Sequence, residues 1–385
     1  MLDPVSGTPR FVVVGSDYTS SVVSLLAADG TVLSDAWIDS GTTAPGLVST
    51  LSGDVAVGSG AAAGTVILID RQSTDVVSAW CLDGSLVGQL RVRSADSSFS
   101  PNPHDAVVVG DTGWVTRNDT NPSGAAEPGD RGGDIFGFDA TTMVANGRRV
   151  DFSSFEGMTD AGVAYSARPG RLLTNGARLF TVLGRTPTDY SDTDAAASVF
   201  VSVDATSSAV ESLELTGLRN CDLVDAIPGD GARFIVTCLG WSSMFFGGPD
   251  TYQSAGIVEV AIDGDGVPSL ARSWRPGAED ALAVQNVVVL DDHRVVASAF
   301  GDFGGPVFDR LFVVDFDSGM SSLLLESTES YTLGQGALVG DTLLVPDASE
   351  DVRAVRRFSV GETLTEVEPI EVGPAALPPR VITGL

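Results

Sequence analysis

The chain of 385 residues contains no lysine, two histidines and three cysteines, and its 22 basic residues, all arginine, face 51 acidic ones for a formal net charge of -29. Each shortage excludes a class of protein. A chain so acidic has no basic footprint for a phosphate backbone, so nucleic acid is not an expected partner. His104 and His293 are too few for a histidine-rich zinc or copper centre. No apolar run approaches the roughly 18 residues needed to cross a bilayer, and no transmembrane segment is expected. Residues 1–9 also lack the charged and apolar regions of a secretory signal. Among the acids, Asp outnumbers Glu by 38 to 13, beside 44 Gly. That is a composition of turns and strands rather than of helical bundles. The 43% of hydrophobic residues is too much for a disordered chain.

What the chain does have is repetition. A strand pattern ending in hydrophobic-Asp-x-x-Ser/Thr/Gly recurs at Asp70, Asp139, Asp204, Asp263 and Asp315, with degenerate copies around Ala27 and Ser359. Asp suits the turn, because its carboxylate can accept backbone N–H groups two residues on. Each unit divides into four short strands; in the third they read His104 to Gly110, Gly113 to Arg117, Asp134 to Asp139 and Gly147 to Phe152. Four antiparallel strands repeated seven times predict an all-β, seven-bladed β-propeller. A β-sandwich would not repeat its turn chemistry seven times, and a solenoid would use shorter coils. The blades fall at approximately 10–40, 45–92, 101–152, 167–216, 220–274, 282–327 and 331–372 of one domain spanning 1–385. The first unit opens directly on a second strand, Arg10-Phe-Val-Val-Val-Gly15, while Pro379-Arg-Val-Ile-Thr383 is left over at the far end. Residues 377–385 are therefore expected to supply the missing innermost strand and close the ring, removing an open edge.

These turn motifs resemble those of secreted bacterial propellers with YVTN-type or surface-layer-type repeats, over nearly the whole chain. The resemblance implies a seven-bladed ring, export, attachment through a lipid anchor in some members, and a binding or scaffolding role. It implies no catalytic residues. Export is also the expectation from the cysteines. If Gly229 and Asp230 form a two-residue turn, Cys221 and Cys238 lie opposite each other on an antiparallel ladder, at disulfide distance. Two buried thiols on adjacent strands are the alternative. The expected location is extracytoplasmic, with a leader trimmed ahead of Met1 and any membrane contact made through a lost lipid anchor. Cys81 has no obvious partner.

Function is expected on the face that carries the long loops between second and third strands, Asn118 to Gly133, Thr186 to Ala196, Trp241 to Ala255 and Gly301 to Phe308. Tyr190, Trp241, Phe245, Phe246, Tyr252 and Phe303 lie on these loops among Asp residues, an aromatic and acidic mixture suited to a protein or carbohydrate partner, or to lids folded onto the ring. Arg117 and Arg168 are either anion hooks on this face or members of internal salt bridges, as are Arg131 and Arg171. Asp17, Asp119, Asp302 and Asp347 fall near the ends of second strands and could ring the channel mouth as calcium ligands. Asp263-Gly-Asp265 and Asp315-Phe-Asp317 mimic the start of a calcium loop but lack its distal Glu, and read better as plain strand turns. The leading expectation is a non-catalytic exported propeller that binds a protein, glycan or matrix component. The alternative is a metal-assisted hydrolase or lyase using His104 and its neighbour Asp105 near the channel mouth.

Overall fold

The computed structural model describes residues 7–71, 73–93, 98–123, 130–159, 162–188, 195–241, 251–277, 283–301 and 307–385. They form seven four-stranded antiparallel sheets and one small hairpin, Gly157–Met158 with Ala164–Tyr165. The sheets are the blades of a propeller. Blade 3 runs outward from the channel as Pro103–Val109, Thr112–Thr120, Gly132–Asp139 and Val144–Asp151. Middle strands such as Phe11–Ser16 are buried at every residue because both of their faces meet a neighbouring blade, whereas the outermost strand of blade 7, Leu364–Ile370, has no buried residue. Valine-rich runs suit such doubly covered strands.

Ring closure follows the expected route. Pro379–Gly384 pairs with Phe11–Ser16 and becomes the innermost strand of blade 1. The core confirms that no seam is left open. It divides into seven clusters, one between each pair of adjacent blades, and the cluster joining Ile382, Phe11 and Val13 to Leu344 and Val355 seals blade 7 against blade 1.

One repeat assignment is corrected. Asp70 does not end a third strand; it ends Thr65–Asp70, the second strand of blade 2, and its carboxylate faces inward to Ser52. The third strand of that blade is Val76–Cys81, and its turn is capped by Asp83. Ile69-Asp70-x-x-Ser73 reads like a third-strand ending because second and third strands are alike buried and alike end in a turn.

The disulfide between Cys221 and Cys238 forms, but not for the reason given by a two-residue turn. The pairs Ala226↔Phe234 and Leu223↔Thr237 belong to a loop one residue longer, and a bulge between Cys221 and Leu223 restores the cysteine register. Asp222 is the bulged residue. Cys81 is a partly buried free thiol.

Candidate functional site

The same one-residue register shift occurs at the start of the innermost strand in six of the seven blades, blade 2 alone being regular. Bulges re-aim side chains. Here the shift places His104, Asp222, Gln285 and Arg380 at the mouth of the central channel, where they line a cavity of about 460 Å³ to which every blade contributes. Further amides, Asn102, Asn118, Asn220, Asn286 and Gln335, complete a polar wall, with Tyr18 and Tyr331 at the rim.

Backbone strain clusters at the same place. Asn102, Arg168 and Asn220 each immediately precede an innermost strand and each has a φ of 51°. Their carbonyls accept the N–H groups of Asn118, Gly184 and Leu239 at the ends of the adjoining second strands. The left-handed region is tolerable for asparagine but costs an arginine about 1–2 kcal/mol, so Arg168 is held there by the ring around it.

His104 Nδ1 lies 3.5 Å from an Asp222 carboxylate oxygen across the mouth. Burial opposes ionisation of Asp222, but His104, Arg71 and Arg168 outweigh it and hold the carboxyl below its usual range. Arg71 donates twice to Asp54 Oδ1, at 2.8 and 2.5 Å. Arg168 has Asp119 at 3.7 Å. Arg380 donates to the carbonyls of Ser16 at 3.4 Å and Tyr331 at 3.0 Å, with its guanidinium 5.0 Å from the Tyr18 ring centroid.

Several residues singled out in the sequence lie elsewhere. Arg117 is buried, paired with Asp134 at 2.6 Å and donating to the Val92 carbonyl, as an internal ion pair would have it. Asp105 is not the partner of His104: it is buried and accepts the backbone N–H groups of Ser59 and Leu172, tying blades 2, 3 and 4 together. Asp347 is buried and held by Arg356 at 2.7 Å and by the Ser349 N–H; its backbone is bridged to the mouth residue Leu333, but its side chain is turned to these partners. Asp17 caps its own turn through the N–H groups of Thr19 and Ser20. Asp263 and Asp315 do the same. Among the described residues no group of three or more His, Cys, Asp and Glu is placed to hold a metal ion. Trp241 is buried at the edge of the mouth and Tyr252 is half-buried in the short helical turn Thr251–Ser254. Tyr190, Phe245, Phe246, Phe303 and Asp302 lie outside the described residues. Arg131 and Arg171 are in ion pairs, with Glu156 and with Asp225. His293 pairs with Asp317 on the opposite face.

Sequence reasoning missed Asp222, Gln285 and the side chain of Arg380 as mouth residues. The available signal was their shared place near the start of an innermost strand, second for Asp222 and Arg380 and third for Gln285, which becomes visible only when the blades are aligned on that strand.

No protein-family model and no curated protein matches the chain. Among solved structures it is similar to a hypothetical selenium-binding protein from Sulfolobus tokodaii, with a TM-score of 0.62 and 10% identity over 100% of this chain and 96% of that one. A provisionally assigned 6-phosphogluconolactonase from Bacteroides fragilis aligns over 100% of both chains, with a TM-score of 0.60 and 13% identity. A second protein so described, from Bacteroides uniformis, aligns over 98% of this chain and 100% of its own, with a TM-score of 0.60 and 12% identity. Likeness at such low identity shows the propeller fold and no more.

Proposed function

We propose that this chain is an exported binding propeller whose long-loop face takes a hydroxyl-rich ligand, a small carbohydrate or the end of a glycan, in the mouth of the channel. The observation that carries the reading is the wall of that mouth, where amide side chains from four blades converge on one cavity with tyrosines at its rim. Amides both donate and accept, so they match hydroxyl groups, and aromatic rims suit sugar faces. The disulfide supports export, since the cytosol keeps thiols reduced. Among the described residues no helix is long and apolar enough to cross a membrane. A glycan array followed by calorimetry tests the reading. Carbohydrate binding should weaken about tenfold or more in Gln285→Ala with an unchanged melting temperature; a protein that binds no carbohydrate on the array would sink it.

A second reading keeps the cavity and makes it catalytic, because His104 and Asp222 form a histidine–carboxylate pair at its wall. Asp222 would orient the imidazole and His104 would act as general base in a hydrolase or lyase reaction. Turnover of an ester, lactone or glycoside that is abolished in a folded His104→Ala protein would favour it over simple binding.

A further inference from the structure

We infer that the ligand of the channel mouth carries an oxyanion, and that Arg380 receives it. The inference rests on the binding reading above and adds the charge of the ligand to it. Acids outnumber bases by 51 to 22 in the chain, yet among the described residues the mouth is lined by three arginines and a histidine against two aspartates and no glutamate. In this concavity, to which all seven blades contribute, the described side chains thus reverse the sign of the molecule.

The three arginines differ in what they hold. Arg71 is committed to Asp54, and Arg168 has Asp119 beside it. Arg380 has no carboxylate partner among the described residues; its contacts are two carbonyl oxygens and the face of Tyr18. A guanidinium stays charged at any pH the protein meets and offers five N–H donors in a planar fork. The two carbonyls use Nε and one Nη, so donors remain for a ligand. The fork fits a carboxylate or a phosphate in bidentate fashion, which a neutral sugar hydroxyl cannot match.

The position is also built rather than incidental. Arg380 is the bulged residue of the closing strand, so its side chain is aimed at the axis by the same device that presents His104, Asp222 and Gln285. It sits between Tyr18 and Tyr331, which both have left-handed backbones, φ 65° and 63°, and the Tyr331 ring packs at a tilt against Phe300 with ring centroids 4.5 Å apart. Strain of this kind persists only where the surroundings enforce it. At physiological salt the repulsion from distant carboxylates fades beyond about 8 Å, while a direct contact to Arg380 is little screened.

Calorimetric titration of the full chain with D-glucose, D-glucuronate, D-glucose 6-phosphate and inorganic phosphate tests the inference. At least one charged probe is expected to bind about tenfold or more tightly than glucose. The tighter of glucuronate and the phosphate compounds identifies the oxyanion as carboxylate or phosphate. Arg380→Gln should abolish the preference, and Asp222→Asn, which removes a negative charge from the wall, should tighten the anion severalfold. Because Arg380 lies in the closing strand, Asp222→Asn keeps the test valid if Arg380→Gln fails to fold. Glucose binding as well as its charged counterparts would overturn the oxyanion while leaving the carbohydrate reading intact. No binding of any probe at millimolar concentration, or anion binding indifferent to both substitutions, would overturn the inference as well.

Discussion

On the face of the ring opposite the channel mouth, Asp139, Asp204, Asp263 and Asp315 each follow or end a third strand and turn a carboxylate oxygen back onto two N–H groups of their own turn. On the mouth face, Asp105 and Asp309 are buried and reach across blades. Asp309 accepts the N–H groups of Gly301 in blade 6 and of Tyr331, Thr332 and Leu333 at the start of blade 7, at 2.7 to 3.0 Å. The same residue type therefore serves local chain reversal on one side and blade-to-blade clamping on the other. The difference teaches where stability and function are coupled: the clamps hold the lead-in segments from which the mouth is built, and the turn caps hold nothing beyond themselves.

The largest effect should come from removing the seam that both faces depend on. Deleting residues 377–385 takes the innermost strand from blade 1 and opens the cluster around Ile382, so the protein is expected to unfold or aggregate. An unchanged melting temperature would refute closure. Next, Asp309→Ala leaves four backbone donors without their acceptor in a buried setting and should cost about 3–5 kcal/mol in denaturant unfolding. If that loss is no larger than for a turn aspartate, the contrast between the faces collapses.

Replacing both Cys221 and Cys238 by alanine removes the covalent tie at the base of the Asp222 bulge and should cost about 3 kcal/mol, readable from chemical denaturation without reductant. Asp225, further down the channel and 2.8 Å from Arg171, represents a third use of aspartate. Burial pushes its carboxyl up to about 6, against the pull of Arg171 and with the help of Asp105. The folded protein then holds a proton that the unfolded chain releases near its ordinary value of 3.8, so this group adds stability as pH falls from about 7 toward 4 and withdraws it as pH rises through 6. Melting curves across that window should show the trend in the native protein, by about 1–3 kcal/mol, and a flatter profile in Asp225→Asn. A native profile with no rise in that interval would remove the assignment. The smallest change is expected for Asp204→Ala, whose exposed carboxylate supports only its own turn: a fall of about 1–2 °C in melting temperature and no effect at the mouth.

The turn aspartates were legible because their partners lie two to four residues along the chain. Asp70 shows the limit of that signal: it carries the same local pattern, yet its carboxylate serves Ser52 at the mouth side of blade 2. The cysteine pair illustrates a second limit, since a longer loop and a bulge cancel and return the expected partners. His104 was legible as a mouth residue from its place ahead of blade 3, but its sequence neighbour Asp105 points into the blade stack while Asp222, from blade 5, faces it. Arg117 and Asp347 looked like loop-face residues because they stand at strand ends, and burial between blades directs them to Asp134 and Arg356 instead.

The sequence by itself determined the strand alternation, the turns, the count of seven units and the place of the last strand. All of these follow from contacts within a unit or from the one unit that lacks a strand. Only the tertiary structure decided the mouth. Its wall takes side chains from every blade, and a bulge in each of six innermost strands chooses which residue faces the axis. Residues so far apart in the chain acquire a common environment only when the ring closes, and the sign of that environment, arginine-rich in an acidic molecule, is a property of the assembled circle.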